Sequence, residues 1–176
     1  MADWVVFLRA INLGRTRKFP KADIVAATEA AGGTAVATHL NTGNVFLHHP
    51  ARSRAGLEQK LEAAYVDATG FAVPAIGFTT TEFKALAAEA AQITRPDLER
   101  HYIYLLKSEP DPACVDQLAE LSGGHVVVVG RAAHVLFGPG SYTSGTVDPY
   151  QVEKRLGVVA TNRNLAVVST LADRWC

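Results

Sequence analysis

Three short polar stretches hold most of this chain's capacity for chemistry: Leu8-Arg9-Ala10-Ile11-Asn12-Leu13-Gly14, Asn41-Thr42-Gly43-Asn44 and Thr161-Asn162-Arg163-Asn164. An arginine presents a planar fork of donors that matches carboxylate and phosphate oxygens. Asparagine and threonine add neutral donors and acceptors, and glycine lets a ligand approach the backbone closely. The candidate ligand-binding residues are therefore Arg9, Asn12, Thr42, Gly43, Asn44, Thr161, Arg163 and Asn164. The ligand they suit is a small anionic or nucleotide-like molecule.

Each stretch also has a plainer use. Gly and Asn tolerate the positive φ that hairpin turns demand, so Asn41-Thr42-Gly43-Asn44 can be a turn and nothing more. Thr161, Asn162 and Asn164 are preferred caps for a helix that would start there. Arg163 would then sit in the first helical turn, where the dipole disfavours a cation. An anion shared between Arg163 and that helix N-terminus would account for it, and so would a distant carboxylate. Arg9 follows an apolar strand and needs a partner for its guanidinium. Arg15, Arg17, Lys18 and Lys21 precede the next acid, Asp23, and form either a solvated turn or an anion-facing patch.

Other chemistries find little support. No pair of histidines shows helical metal-ligand spacing, and Cys114 and Cys176 form neither a disulfide framework nor a zinc pattern. No metal and no cofactor is expected. Gly138-Pro139-Gly140 lacks the Lys-Ser/Thr of a phosphate loop. No Gly-x-Ser-x-Gly surrounds Ser141 or Ser144. Seventeen basic residues offset seventeen acidic ones, which weighs against nucleic acid as a partner, because that binding rests on phosphate neutralisation. The strand around Phe46 also lacks the paired stacking aromatics of RNA-binding plaits. Apolar runs are too short to span a membrane, and the acidic start Met1-Ala2-Asp3-Trp4 is no signal peptide. With reduced cysteines, this points to the cytoplasm.

The elements that must position these residues follow from the apolar pattern. Trp4-Val5-Val6-Phe7-Leu8 reads as a buried strand. Ile24, Ala27, Thr28 and Ala31 repeat at helical spacing until Gly32-Gly33. Residues 34–40 and 45–47 read as a hairpin, Leu57 to Ala68 as a helix closed by Gly70, and 71–78 as a strand. Residues 1–80 thus read as β-α-β-β-α-β, the order of a ferredoxin-like plait. A leading helix over 81–91 precedes a second pass through the same order, and a helix from Leu165 ends the chain. The expected fold class is α+β: two ferredoxin-like halves packed together, residues 1–80 and 81–176.

The three stretches, with Leu156-Gly157-Val158 and Ala160 ahead of the third, resemble the signature segments of the bacterial domain-of-unknown-function family 1697. The resemblance implies two ferredoxin-like halves and a cytoplasmic protein, with no established activity, cofactor or substrate. Its signature positions fall on Arg9, Asn12, Gly14, Gly43, Asn44, Thr161, Arg163 and Asn164. The chain departs from the family at Ala10, Arg15, Thr42 and Leu165, where Gly, Gly, Ser and Trp are usual.

The leading expectation is a binding protein for a small anionic ligand, held in a polar Arg/Asn cleft between the halves. The alternatives are a metal-free enzyme acting on such a ligand, and an interaction module whose plait edges form a homodimer with the polar stretches purely structural.

Overall fold

The computed structural model describes residues 1–12, 16–140 and 148–176, so Gly14, Arg15, Ser141 and Ser144 lie outside the described residues. Met1–Lys84 with Arg174–Cys176 form one compact unit and Ala85–Asp173 a second. The first contains β1 (Ala2–Leu8), α1 (Lys21–Ala30), β2 (Thr34–His39), β3 (Asn44–His49), α2 (Arg54–Thr69) and β4 (Ala75–Thr79). After α3 (Thr80–Ala90) come β5 (Arg100–Leu106), α4 (Pro112–Ser122), β6 (Val126–Val129), β7 (Ala132–Phe137), α5 (Val152–Leu156), β8 (Ala160–Asn164) and α6 (Leu165–Trp175). The sheets have the orders β2-β3-β1-β4 and β6-β7-β5-β8, every neighbouring pair antiparallel. Both are the ferredoxin-like order, and the α+β class with two similar halves is observed.

In the first unit, alternation along β1 sends Trp4, Val6 and Leu8 to one face, where Val45 and Leu47 join them. The inner stripes of α1 (Ile24, Ala27) and α2 (Leu57, Leu61, Tyr65) cover that face. Tyr65 is wholly buried and shares a 2.9 Å hydrogen bond with the Thr28 hydroxyl, while burial pushes its phenol up from the ordinary value. On the opposite face, Phe7 and Phe78 meet Phe83 from α3, with ring centroids 5.2–6.3 Å apart. In the second unit, Tyr104, Leu106, Ala133, Val135, Phe137 and Ala160 pack with Leu118 of α4 and with Val152 and Leu156 of α5.

The sheet edges are treated differently from one another. The outward N–H groups of β4 at Ala75, Gly77 and Thr79 donate to Glu62 (2.8 Å), Glu58 (2.8 Å) and Glu82 (2.7 Å). A row of carboxylates thus takes the place of a neighbouring strand. On β8 the Ala160 N–H donates to Glu153 of α5 at 3.2 Å. β2 is irregular, its register slipping between Thr34 and Ala37, with Ala35 at φ 50°. β6 keeps an unbroken register with β7.

Two boundary expectations are corrected. The strand expected over 71–78 is only Ala75–Thr79, because Phe71 and Ala72 are occupied by another contact. Arg17 lies 4.8 Å over the Phe71 ring and donates to the Ala72 carbonyl at 2.5 Å. The second correction is larger. Thr161-Asn162-Arg163-Asn164 does not open a helix but forms β8, paired residue by residue with β5, and the helix starts at Leu165. Local capping preference is overridden there by tertiary strand pairing.

Candidate functional site

The first two polar stretches come together, but largely to hold the chain. Asn12, at φ 55°, donates its amide to the carbonyls of Asn41 (2.7 Å) and Phe19 (3.2 Å) and accepts from the Phe19 N–H (2.9 Å). Asn44 is fully buried as the first residue of β3, and its amide donates to the His39 carbonyl (2.8 Å) and the Thr42 hydroxyl (3.0 Å). Gly43, at φ +75°, accepts from the Leu8 N–H at 2.8 Å. A Cβ there would lie 2.6 Å from the Leu8 side chain, so the glycine is required by close approach as well as by φ. Arg9 is half-buried after β1, its N–H on the Pro74 carbonyl (3.0 Å). Arg17, read from sequence as part of a basic turn, donates its Nε to the Ala10 carbonyl at 2.7 Å.

The third stretch lies in the other unit. Arg163 is 7% exposed, and its Nη1 donates to the Thr161 hydroxyl (3.0 Å) and the Asn162 carbonyl (2.6 Å). Burial pushes its guanidinium down to about 10. It stands in a strand, so the unfavourable helix-dipole position expected for it does not exist. Asn164 does act as a cap, accepting from the Val167 N–H at 2.8 Å in front of α6.

Across β5 from Arg163 lies a feature that reading histidines one at a time does not reveal. Ile103 is opposite Arg163 on β8 and opposite His134 on β7. His134, in turn, is bonded to His101, whose Nε2 lies 2.9 Å from its Nδ1. Strand alternation puts all four residues on the sheet face away from α4 and α5. Desolvation pushes His101 down and His134 down to about 4, so both rings stay neutral at physiological pH. His101 is 6% exposed, and its Nδ1 is buried without a hydrogen-bond partner. The signal available in sequence was the pair of strand positions, 101 and 134, falling on one face of neighbouring strands.

His101 lines a pocket of about 330 Å3 together with Leu98, Glu99, Arg100, Tyr102, Asn164, Leu165 and Ala166. That is near the small end of ligand pockets, about 300–1,000 Å3. One wall is the first turn of α6, the positive end of an 11-residue helix. Arg100, exposed at the start of β5, is the basic residue among the lining. Of the sequence candidates, Asn164 is the one that lines this pocket. A second polar group in this unit is built differently: Arg95 forks onto Asp97 (2.6 and 3.2 Å) and points its Nη1 at His125 Nδ1 (2.8 Å). Among the described residues no group of three or more His, Cys, Asp or Glu side chains is arranged for a metal ion. No described helix is long and apolar enough to cross a membrane.

A sheet order of 2-3-1-4 repeated in one chain, with paired loops stitched by asparagine, leads to a family. The chain belongs to the family described as protein of unknown function, DUF1697, whose model matches residues 1–134. The match spans both stretches of the first unit and β5, and ends within β7 at His134, ahead of β8. The structure is similar to that of the conserved bacterial protein SP0830 from Streptococcus pneumoniae, with a TM-score of 0.70 and 19% identity over 99% of each chain. At that identity the likeness concerns the fold. No curated protein matches the chain.

Proposed function

We propose that this protein binds a small ligand through an anionic group, seated in the pocket between the start of β5 and the first turn of α6. The observation that carries this reading is the orphan nitrogen of His101. A buried polar atom without a partner costs about 1–3 kcal/mol, and here it belongs to a residue of the pocket wall. The imidazole pair holds one proton along its shared bond. If His134 Nδ1 carries that proton, His101 Nδ1 is an N–H, and it can donate to an anion once a small shift of the wall uncovers this buried atom. An anionic ligand therefore selects this tautomer, and the helix dipole and Arg100 favour the same charge. The Arg/Asn residues of the first unit are spent largely on loop anchoring, which moves the weight of the proposal to Arg100, His101 and the start of α6.

The test is a thermal-shift and calorimetric series with inorganic phosphate, pyrophosphate and nucleoside monophosphates against chloride at matched ionic strength. At least one phosphate-bearing probe should raise the melting temperature by mass action. Arg100→Ala and His101→Phe should each weaken it roughly tenfold, the equivalent of one charge-assisted hydrogen bond. Failure of every probe, or affinities unchanged in both variants, rejects the reading.

A further inference from the structure

Among the described residues the four sheet edges differ in how far they are covered. β4 hands three outward N–H groups to glutamates of the helices before and after it, β8 hands one, at Ala160, to Glu153 of the helix before it, and β2 is bulged. β6 differs. It is Val126-Val127-Val128-Val129, uncharged and free of proline, with Val127 to Val129 half-exposed. Proteins usually blunt such an edge, because its unpaired backbone groups are a template for another strand. β6 carries no carboxylate, proline or bulge, and its guard is one hydroxyl, that of Ser122, at one end.

The ladder phase shows what this edge offers. The Val126 N–H donates to the Ser122 hydroxyl at 3.1 Å, and the Leu136 N–H donates to the His125 carbonyl at 2.8 Å. Alternation then turns the backbone of His125, Val127 and Val129 toward β7, and that of Val126 and Val128 outward. Ser122 covers the N–H at one end. At the middle, Val128 has no hydrogen-bond partner beyond its own sheet among the described residues.

We propose that β6 pairs with β6 of a second copy of this chain, antiparallel about a two-fold axis beside Val128. The N–H of each Val128 then donates to the carbonyl of the other, two reciprocal bonds from a single residue type. Val127 of one copy falls opposite Val129 of the other, so valine meets valine on both sides of the axis. Gly130 falls opposite Val126, and nothing lies within 4 Å of where a Gly130 or Gly124 Cβ would stand, so both strand ends are clear. The strand has no charge or aromatic with which to select a foreign peptide. What it has is complementarity to itself, and a two-fold pair closes without run-on. A four-residue strand buries less than a standard interface of about 1,600 Å2, so the dimer is reversible and concentration-dependent.

Sedimentation of the full chain over a wide dilution series tests this. The mass should move toward twice the 18.8 kDa of one chain as concentration rises. Hydrogen exchange at the Val128 amide should slow over the same range. Val128→Pro removes only an outward N–H, the position where edge strands accept proline, and should leave a folded monomer. Should that variant misfold, Val129→Lys places a charge on the same edge and should have the same effect. A wild type that is monomeric throughout overturns the proposal, as does open-ended assembly. A dimer that persists in a folded Val128→Pro or Val129→Lys protein overturns it too. Ligand binding in the α6 pocket plays no part in these outcomes.

Discussion

His101 Nε2 and His134 Nδ1 lie 2.9 Å apart on the buried face of the second sheet, two neutral imidazoles sharing one hydrogen bond. Their environment is apolar on the strand axis, where Ile103, Leu105 and Leu136 flank them. Charging either ring there is opposed by desolvation, and for His134 also by the neighbouring ring.

Stability should therefore fall in mild acid. Both folded-state values are depressed, so below the ordinary 6.5 the unfolded chain takes up protons that the folded chain refuses. The stabilisation is fully present above about pH 6.5 and drains away as pH drops toward 4. His134 alone, at about 4 when folded, accounts for up to roughly 3 kcal/mol by the lower end of that window. Urea melts from pH 7.5 down to 4.5 check this, and His134→Gln should flatten the profile.

Gly43→Ala should cost about 2–4 kcal/mol, the sum of a left-handed backbone position and an overpacked contact. The added methyl would stand 2.6 Å from Leu8 Cβ and 2.9 Å from Ile11 Cδ1. Denaturant midpoints of wild type and variant measure it. A loss under 1 kcal/mol would mean that Leu8 and Ile11 can move aside.

Asn12→Ala should destabilise by about 2–3 kcal/mol, through three lost hydrogen bonds and a φ of 55° that alanine resists. Asn12→Gly should recover the backbone share of that loss and none of the hydrogen bonding. Comparing the two variants separates the terms.

Glu58→Ala should cost about 1.5–3 kcal/mol, because the buried carboxylate accepts from the Gly77 N–H. It should also raise light scattering on mild heating, since it uncovers part of the β4 edge. Glu62→Ala, at a half-exposed position of the row, should show a smaller loss.

The order of elements was legible because apolar residues repeat with period 2 in the strands and near 3.6 in α1 and α2, and because Gly70 stops α2 in a left-handed cap. β8 was misread for a definite reason. Thr161, Asn162 and Asn164 are good caps by local preference, and only pairing with β5, more than fifty residues earlier, makes them a strand. Asn164 satisfies both readings, as the last residue of β8 and the cap of α6. The prominent Asn positions were legible as important, yet Asn12 and Asn44 each donate to a backbone carbonyl of their own unit. The pocket was hidden because its parts, Arg100, His101 and Leu165, carry no spacing motif and meet only through strand register.

The row of glutamates along β4 bears on how the chain is made. Glu58 and Glu62 belong to α2, which leaves the ribosome before Ala75–Thr79, and Glu153 of α5 likewise precedes Ala160. Glu82 of α3, which takes the Thr79 N–H, follows β4, and the other three glutamates are made ahead of the strand they cover. A nascent chain that has just made β4 can therefore cover two of its three outward N–H groups as the strand docks, when neighbouring copies on the same message are crowded together.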